Sequence, residues 1–296
     1  MAHHHHHSHH HDASRRNLGI AFWVNTGFAL LEVVGGFYTN SVAILSDALH
    51  DFGDSLSLGL AYYFQKKSAR VPDESYSYGY KRFSLLGALV NAMILIIGSV
   101  FILQESIQRL SQPQQADARG MFVLALIGIA VNGFAMFRLQ KGDSINERVV
   151  SLHFLEDVLG WLAVLVASVV MMFASVPVLD PLLSMGIAVF ILYNVYKGLR
   201  EAAKILLQGI PDNVDIKAVR KKVLAIPGVI GVHDLHTWTM DGQYNIMTLH
   251  VTLEPTTFEK SNDVKREIRQ RLSNMNLHHL TIETETEGEE CSLREC

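Results

Sequence analysis

The 296-residue sequence has few charged residues for its length. Only 18% of the residues are charged, whereas 49% are hydrophobic, and the mean hydropathy is +0.19. Because soluble globular chains carry about 25% charged residues, this composition excludes an ordinary water-soluble protein. It predicts an integral membrane protein whose apolar segments contact lipid.

Three further absences narrow the function. The net charge of -4 gives no basic excess that could neutralise phosphates, so we expect no nucleic-acid partner. The only cysteines, Cys291 and Cys296, lie at the C-terminus, where they cannot form a disulfide framework. The His-Glu-x-x-His signature of a zinc protease is missing, and nothing indicates a serine or cysteine nucleophile, so we expect no enzymatic activity.

Six apolar segments are long enough to cross a bilayer as helices, which requires ~20 residues each. They are expected at 18–38, 42–64, 83–103, 121–137, 149–173 and 181–196, within a transmembrane domain at 17–208. Asp180 followed by Pro181 is typical of a helix start and predicts that Asp180 is the N-cap of the sixth helix.

The positions of lysine and arginine near the span ends predict the orientation. The odd-numbered connections contain only Arg109 and Arg119. The remaining basic residues lie in the N-terminal tail, the even-numbered connections and the segment after the sixth span: Arg15, Arg16, Lys66, Lys67, Arg70, Lys81, Arg82, Arg138, Lys141, Arg148, Lys197, Arg200 and Lys204. Both termini are therefore expected in the cytoplasm. The inner membrane of a bacterium is the expected location, with an organelle membrane as the alternative.

Eight of the 15 histidines lie within residues 3–11, inside an expected disordered tail at 1–16. The run has no apolar segment and is therefore not a signal peptide. It is either a purification tag or a native tail that collects metal ions. The sequence leaves both open.

Residues 209–287 have the alternating patterns of a soluble domain. The expected elements are a helix at 215–224, strands at 231–240 and 244–253, a helix at 262–275 and a strand at 280–285. This order predicts a small α+β domain. Residues 288–296 are expected to form a disordered tail.

Two pairs of ionisable residues lie within the apolar segments. His50 and Asp54 in the second span are four residues apart, as are His153 and Asp157 in the fifth, so each pair shares one helix face. Such residues cost ~2.5–3.5 kcal/mol each to insert into a membrane, which favours a functional role. Two imidazoles and two carboxylates suit tetrahedral Zn²⁺ better than Mg²⁺ or Ca²⁺.

Other interpretations of these pairs exist. Each could be a hydrogen bond between helical turns, or the acids could line a proton path without metal. The repetition of His-x3-Asp on two spans favours metal binding. The neighbouring acids Asp47, Asp51 and Glu156 point partly to other faces, so we expect them to support the ligands rather than to bind the ion.

Several motifs resemble the cation diffusion facilitator family of divalent-metal transporters, in its zinc-type branch. They are Ser41–Asp54 and His153–Asp157, Tyr78–Arg82 before the third span, Asp180-Pro181, and Gly231–Trp238 in the soluble domain. The resemblance implies a homodimer with six spans per protomer, a ferredoxin-like cytosolic domain, and metal efflux in exchange for protons. It also implies that His50, Asp54, His153 and Asp157 form the transport site.

The resemblance further implies a cytosolic metal site. His233, His250 and Glu285 occupy the positions that bind metal at the dimer interface in that family. His236, His278 and His279 are weaker candidates. Surface histidines on a small α+β domain usually bind nothing, so the residues alone do not establish this site.

The expected function is therefore Zn²⁺/H⁺ antiport by alternating access, with Cd²⁺ or Co²⁺ as possible further substrates. An unperturbed imidazole titrates near pH ~6.5, so an acidic outer side would protonate the histidines and expel the ion. Two alternatives stay open: a proton-coupled transporter of another substrate, and a membrane-bound metal sensor.

Overall fold

The computed structural model describes residues 8–68, 70–140, 145–174, 176–255, 257–287 and 289. The chain divides into two compact units. The first unit contains the residues up to Phe64 together with Gly87–Gly198, and the second contains Gln65–Leu86 together with the residues from Leu199 onward. The connection at 65–86 thus belongs to the second compact unit of the structure.

Six long helices precede the soluble domain in the described part of the chain. They are α1 (Ser8–Thr39), α2 (Val42–Ser68), α3 (Phe83–Ser111), α4 (Ala118–Gln140), α5 (Ile145–Phe173) and α6 (Leu179–Leu206). Helix α1 begins at Ser8, so residues 8–16 are helical and do not belong to a disordered tail as expected. Residues 1–7 lie outside the described residues.

Four of these helices are long and apolar enough to cross a membrane, among the residues that the structure describes: α3, α4, Val150–Phe173 of α5, and α6. No more than 33% of the most apolar window of each helix is buried within the chain. Large side chains such as Phe101 and Phe173 are exposed instead. Because so much contiguous apolar surface would be unfavourable in water, these helices indicate a lipid environment.

Helices α1, α4 and α5 pack together around a buried aromatic pair. The rings of Phe28 on α1 and Trp161 on α5 meet edge to face, with centroids 5.6 Å apart. Gly128 on α4 makes room for the indole, since a Cβ there would lie 2.4 Å from Trp161. The other buried residues of this core cluster are Ile44, Met121, Ala125 and Val164.

The prediction that Asp180 is the N-cap of the sixth helix is wrong. Helix α6 begins one residue earlier, at Leu179, and the buried Asp180 carboxylate binds the N-terminus of α2 instead. It accepts a hydrogen bond from the Ser41 hydroxyl and from the backbone N–H groups of Val42 (2.9 Å) and Ala43 (3.3 Å). A negative charge is favoured there because the first amides of a helix lack intrahelical acceptors. Asp180 therefore joins α6 to the helix that carries His50 and Asp54.

The second unit contains α7 (Ile216–Leu224), β1 (Val229–Thr239), β2 (Asn245–Leu253), α8 (Phe258–Arg271) and β3 (His279–Thr286). This order confirms the helix, strand, strand, helix, strand sequence predicted from the patterns. The strands form one sheet in the order β1-β2-β3, with β1 antiparallel and β3 parallel to β2. Asp215 caps α7, and Thr257 caps α8. The core of the sheet and helices includes Val219, Leu249 and Ile268.

Candidate metal sites

Helices α2 and α5 bring the two predicted His-Asp pairs together in the first unit. The imidazole rings of His50 and His153 lie edge to face with centroids 5.9 Å apart. His153 Nε2 lies 3.2 Å from Asp54 Oδ2 on the other helix and 3.7 Å from Asp157 Oδ2 on its own helix. His50 Nε2 lies 3.7 Å from Asp54 Oδ2. The four side chains therefore converge on one point between the helices.

These distances suit a single small cation. One ligand atom each from His50, His153 and Asp157 lies within 4.8 Å of the others, and Asp54 contacts His153 across the site. Ligand atoms ~2.0–2.2 Å from a tetrahedral zinc ion are separated by less than this distance from one another, so a small contraction would close the shell. Asp157 is buried, whereas the side chains of His50, Asp54 and His153 retain 16%, 29% and 26% exposure. An ion could thus be reached from one side of the site.

Several ligand atoms have no hydrogen-bond partner within the described residues. They are Nδ1 of His50, Nε2 of His153 and Oδ2 of Asp157, all of them buried. Unpartnered polar atoms in a buried position are costly and therefore indicate a missing partner. A bound cation or protons would satisfy these atoms.

The three acids expected to support the ligands differ in position. Asp47 and Asp51 are buried on α2, and the side chain of Asp51 has both oxygens without a hydrogen-bond partner in the described chain. Glu156 is exposed on α5, and no hydrogen bond or ion pair joins it to the four ligands in the part that the structure describes. The supporting role expected for Asp47, Asp51 and Glu156 remains a prediction, since no hydrogen bond or ion pair in the described chain joins them to the four ligands.

Sequence reasoning did not find Phe190 on α6, whose ring lies 6.5 Å from the His50 ring in an edge-to-face arrangement. It also missed the contact of Ser41, whose hydroxyl donates a hydrogen bond to the Asp180 carboxylate directly before α2. Neither contact has a local signal, because both join α2 to a helix more than 100 residues away.

The second unit contains a second group of potential ligands, made of His233, His250 and Glu285. The two histidines are paired across β1 and β2, and their rings lie 5.4 Å apart. The Glu285 carboxylate lies between them, with Oε1 2.8 Å from His250 Nδ1 and Oε2 3.2 Å from His233 Nε2. The structure thus brings together all three residues that the family resemblance implied.

Two further acids approach this group from residues that sequence reasoning did not single out. Asp234 Oδ2 lies 3.4 Å and Glu283 Oε2 lies 3.3 Å from His250 Nε2. Asp234 has φ of 44° and lies where the register of β1 and β2 shifts between His233 and His236. This irregularity turns the carboxylate toward the histidine instead of following the alternation of the strand.

The weaker candidates have other partners. His236 Nε2 lies 2.7 Å from Asp234 Oδ1, but its side chain is half exposed. His278 Nδ1 accepts a hydrogen bond from the backbone N–H of Asn245, and the His279 ring contacts Tyr78. Cys291 and Cys296 lie outside the described residues.

Comparison with known proteins identifies both units. Residues 18–207 match the family described as "Cation efflux transmembrane domain", and residues 211–287 match "Cation efflux protein, cytoplasmic domain". The first match alone covers more than half of the chain. The chain belongs to the cation efflux family, as its motifs indicated.

Characterised relatives resemble nearly the whole chain. A "Cadmium, cobalt and zinc/H(+)-K(+) antiporter" of Bacillus subtilis is 32% identical over 93% of this chain and 90% of its own length. The "Zinc transporter ZitB" of Yersinia pseudotuberculosis is 32% identical over 96% and 91%. A solved structure, the "Metal-bound C-terminal domain of the CzcD transporter from Cuprividus metallidurans", is 36% identical over 24% of this chain and 99% of that chain, with a TM-score of 0.23.

Proposed function

We propose that the protein is a divalent metal cation efflux transporter, most specifically a Zn²⁺/H⁺ antiporter that works by alternating access. The observation that carries this proposal is the convergence of His50, Asp54, His153 and Asp157 from α2 and α5. The names of the relatives, which include zinc, cadmium, cobalt and protons, support the substrate class. A transporter of a non-metal substrate would not need two imidazoles and two carboxylates around one point.

The proposed transmembrane domain has six spans, in which α1 and α2 join the four apolar helices. Helix α2 carries Asp47, Asp51 and Asp54 as well as His50, and this density of polar residues lowers its apolar character. In a bundle, those side chains would face the interior and the transport site. Six spans place both termini on one side.

Both termini are proposed to be cytoplasmic, in the inner membrane of a bacterium. One apparent exception to the positive-inside pattern has a structural explanation. Arg109 is buried, its Nε donates to Glu105 Oε1 at 2.7 Å, and its other nitrogens donate to the carbonyl and the side-chain oxygen of Asn40. This arginine holds the α1–α2 turn through its hydrogen bonds to Asn40, so it has a structural role at this position.

Proton coupling follows from the chemistry of the ligand set. Imidazole binds Zn²⁺ only when it is neutral, and carboxylate only when it is ionised, so metal binding releases protons. When the site opens to a more acidic outer side, protons compete for the same atoms. His153 Nε2 lies 3.2 Å from Asp54 Oδ2 without a hydrogen bond within the described residues, so an ion or a proton would occupy the same position between them.

The cytosolic domain is proposed to be ferredoxin-like, to form the homodimer, and to bind metal at His233, His250 and Glu285. The single sheet with α7 and α8, and the Glu285 carboxylate between two histidines, support this assignment. Metal there would regulate transport by drawing two cytosolic domains together. Histidine and carboxylate ligands again suit Zn²⁺.

Reconstitution tests the transport proposal. The purified full-length protein is placed in liposomes containing a zinc-sensitive dye, a pH gradient is imposed, and zinc entry is recorded for the wild type and for Asp54→Ala and Asp157→Ala. We expect flux that depends on the gradient and is lost in both variants. Flux absent from the wild type would favour a sensor, and flux unchanged in both variants would place the substrate elsewhere.

The same liposomes separate proton from potassium coupling, since one relative is named an H(+)-K(+) antiporter. A potassium gradient imposed at equal pH, with the membrane potential clamped by an ionophore, should leave zinc flux near background if protons alone are exchanged.

The orientation of the α2–α3 connection in the membrane is tested with Ser75→Cys in a Cys291→Ser/Cys296→Ser background. The thiol should react with an impermeant maleimide only after spheroplasts are lysed.

A further inference from the structure

The second unit contains a cavity that metal transport does not explain. It measures about 420 Å³ and lies between the α2–α3 connection and the sheet. The connection contributes Arg70, Val71 and Lys81, among others, the β1–β2 loop contributes Tyr244, and β3 contributes His279. All of these residues belong to one compact unit. The volume is that of a small-molecule site.

The wall of this cavity is basic. It carries the Arg70 guanidinium and the Lys81 ammonium, and no aspartate or glutamate lines it in the part of the chain that the structure describes. No carboxylate oxygen of a described residue lies within 4.0 Å of either cation. Lys81 Nζ lies over the Tyr244 ring at 4.3 Å, which holds the ammonium at the cavity without neutralising it. The cavity is therefore suited to an anion.

The nearest acid along the connection, Asp73, forms no ion pair within 4.0 Å of Arg70, although the Tyr80 hydroxyl and, to a smaller extent, the Arg70 charge lower the pKa of Asp73. Its carboxylate accepts hydrogen bonds from the backbone N–H groups of Ser75 and Tyr76 and from the Tyr80 hydroxyl at 2.7 Å. Gly79, with φ of 71°, allows the chain to turn so tightly that a Cβ would lie 2.9 Å from the Arg70 carbonyl oxygen. This internal scaffold fixes where Arg70 and Lys81 face the cavity.

Apolar and hydroxyl groups complete the cavity. Val71 is 77% exposed, Pro72 follows it, and Ser77 and Tyr78 supply hydroxyl groups. A free phosphate ion would use the cations and hydroxyls but would leave Val71 and Pro72 without a partner. A phospholipid would use both kinds of group, since its phosphate is anionic and the acyl chains that follow its glycerol are apolar.

We propose that this cavity binds the phosphate-bearing headgroup of an anionic phospholipid. The inference rests on the proposed topology, in which the α2–α3 connection faces the cytoplasm. The connection follows Ser68, the last residue of α2, and precedes Phe83, the first residue of α3, so it lies directly beside the membrane. Anionic lipids of the cytoplasmic leaflet attract basic residues at this depth. A bound headgroup would contact both the connection and the cytosolic domain. The position of the connection on that domain would then depend on the lipid composition of the membrane.

The test measures lipid binding by the full-length protein in neutral detergent with native mass spectrometry. Phosphatidylglycerol and phosphatidylcholine are titrated against the wild type, against Arg70→Gln/Lys81→Gln, and against Lys217→Gln/Lys221→Gln. The last variant removes two exposed charges from α7 in the same unit and serves as the matched control. We expect at least one tightly bound phosphatidylglycerol that Arg70→Gln/Lys81→Gln binds about tenfold more weakly and the control binds normally.

Equal phosphatidylglycerol binding in all three proteins, or equal loss in both double variants, would overturn the proposal. Displacement of phosphatidylglycerol by millimolar inorganic phosphate, with equally tight phosphate binding, would overturn the lipid assignment in favour of a free anion. His50→Ala/Asp54→Ala should keep wild-type lipid binding. A failure of zinc transport is thereby distinguished from a failure of the lipid site.

Discussion

The two candidate metal sites are built from the same residue types in different ways. In the first unit, histidine and aspartate are four residues apart on α2 and again on α5, and the site forms where two helices meet. In the second unit, His233, His250 and Glu285 come from three adjacent strands and meet through sheet register. The first depends on helix packing and can open when helices move, whereas the second is fixed by backbone hydrogen bonds.

The contacts among the ligands differ in the same direction. In the sheet, His250 Nδ1 and Glu285 Oε1 form a hydrogen bond at 2.8 Å, so that pair is preorganised, whereas His233 Nε2 makes no hydrogen bond within the described residues. Between α2 and α5, the ligands approach to 3.2 Å, from His153 Nε2 to Asp54 Oδ2, without a hydrogen bond within the described chain. A site that must release its ion gains from ligands that are not held together, and a regulatory site gains from ligands that are. The comparison therefore predicts exchange in the membrane and retention in the cytosol.

The largest expected effect is at the membrane site. Asp157→Ala removes a buried residue of the proposed transport site and should lower gradient-driven zinc flux by ~100-fold or more, since loss even of a group that orients a ligand costs ~10–100-fold. Glu156→Ala, one residue away on the exposed face of α5, removes the same charge and should retain nearly full flux. Equal loss in both would show that α5 charge, rather than ligation, matters.

The next effect concerns the cytosolic group. Glu285→Gln should weaken zinc binding there by ~10-fold, because the carboxylate joins two histidines, while flux at saturating zinc persists. Isothermal titration of the full-length protein measures the affinity, and Glu287→Gln in the adjacent turn is the control. A flux loss as large as that of Asp157→Ala would remove the distinction between the sites.

A smaller effect is expected at the start of α2. Asp180→Asn keeps the side-chain shape but loses the charge that binds three donors, and it should destabilise the protein by about 2 kcal/mol. The melting temperature should fall by roughly 4 °C. Asp263→Asn, which breaks only an exposed ion pair with Arg266, should leave it unchanged. An unchanged melting temperature for Asp180→Asn would show that the α2 terminus is satisfied without this charge.

The smallest effect is on proton binding in the α2–α3 connection. The Tyr80 hydroxyl, together with the backbone N–H of Ser75, lowers the pKa of Asp73 below its usual range. The folded state therefore gains stability above the unfolded pKa of Asp73, and this gain is lost as the pH falls through the lower folded pKa. Tyr80→Phe should raise the pKa of Asp73 toward its ordinary value, as measured by carboxyl-carbon NMR. Ser75→Ala, which keeps the backbone donor, should not.

The parts of this structure that were predictable from sequence are those set by local periodicity. The spacing of His50 and Asp54 is one helical turn, so their common face follows from the sequence without knowledge of the fold. The alternation of Ile246, Thr248 and His250 identifies β2 for a similar reason. The meeting of α2 with α5 has no such local signal, and it is predicted by the repetition of the His-x3-Asp pair on two spans together with the family resemblance.

Contacts between residues far apart in the sequence explain why the roles of Asp180 and Asp234 were not predicted. The Asp-Pro pair at 180–181 satisfies the local rule for an N-cap, but α6 starts at Leu179 and the carboxylate serves α2. Asp234 departs from strand alternation because of a register shift between β1 and β2. A register shift depends on both strands, so neither strand alone predicts it. The expected six spans are supported directly for four helices and remain a prediction for α1 and α2.

The bond between Asp180 and the start of α2 determines how far each part of that helix can travel. The carboxylate accepts hydrogen bonds from Ser41, Val42 and Ala43, and these bonds would break if α2 slid along α6. We therefore expect α2 to tilt about this end. His50 lies nine residues from the fulcrum, ~14 Å along the axis, and Phe64 lies ~35 Å away. A swing of the far end is therefore reduced to about 40% at His50. A lever of this geometry would let the far end of α2 open widely while His50 shifts by less than half as much.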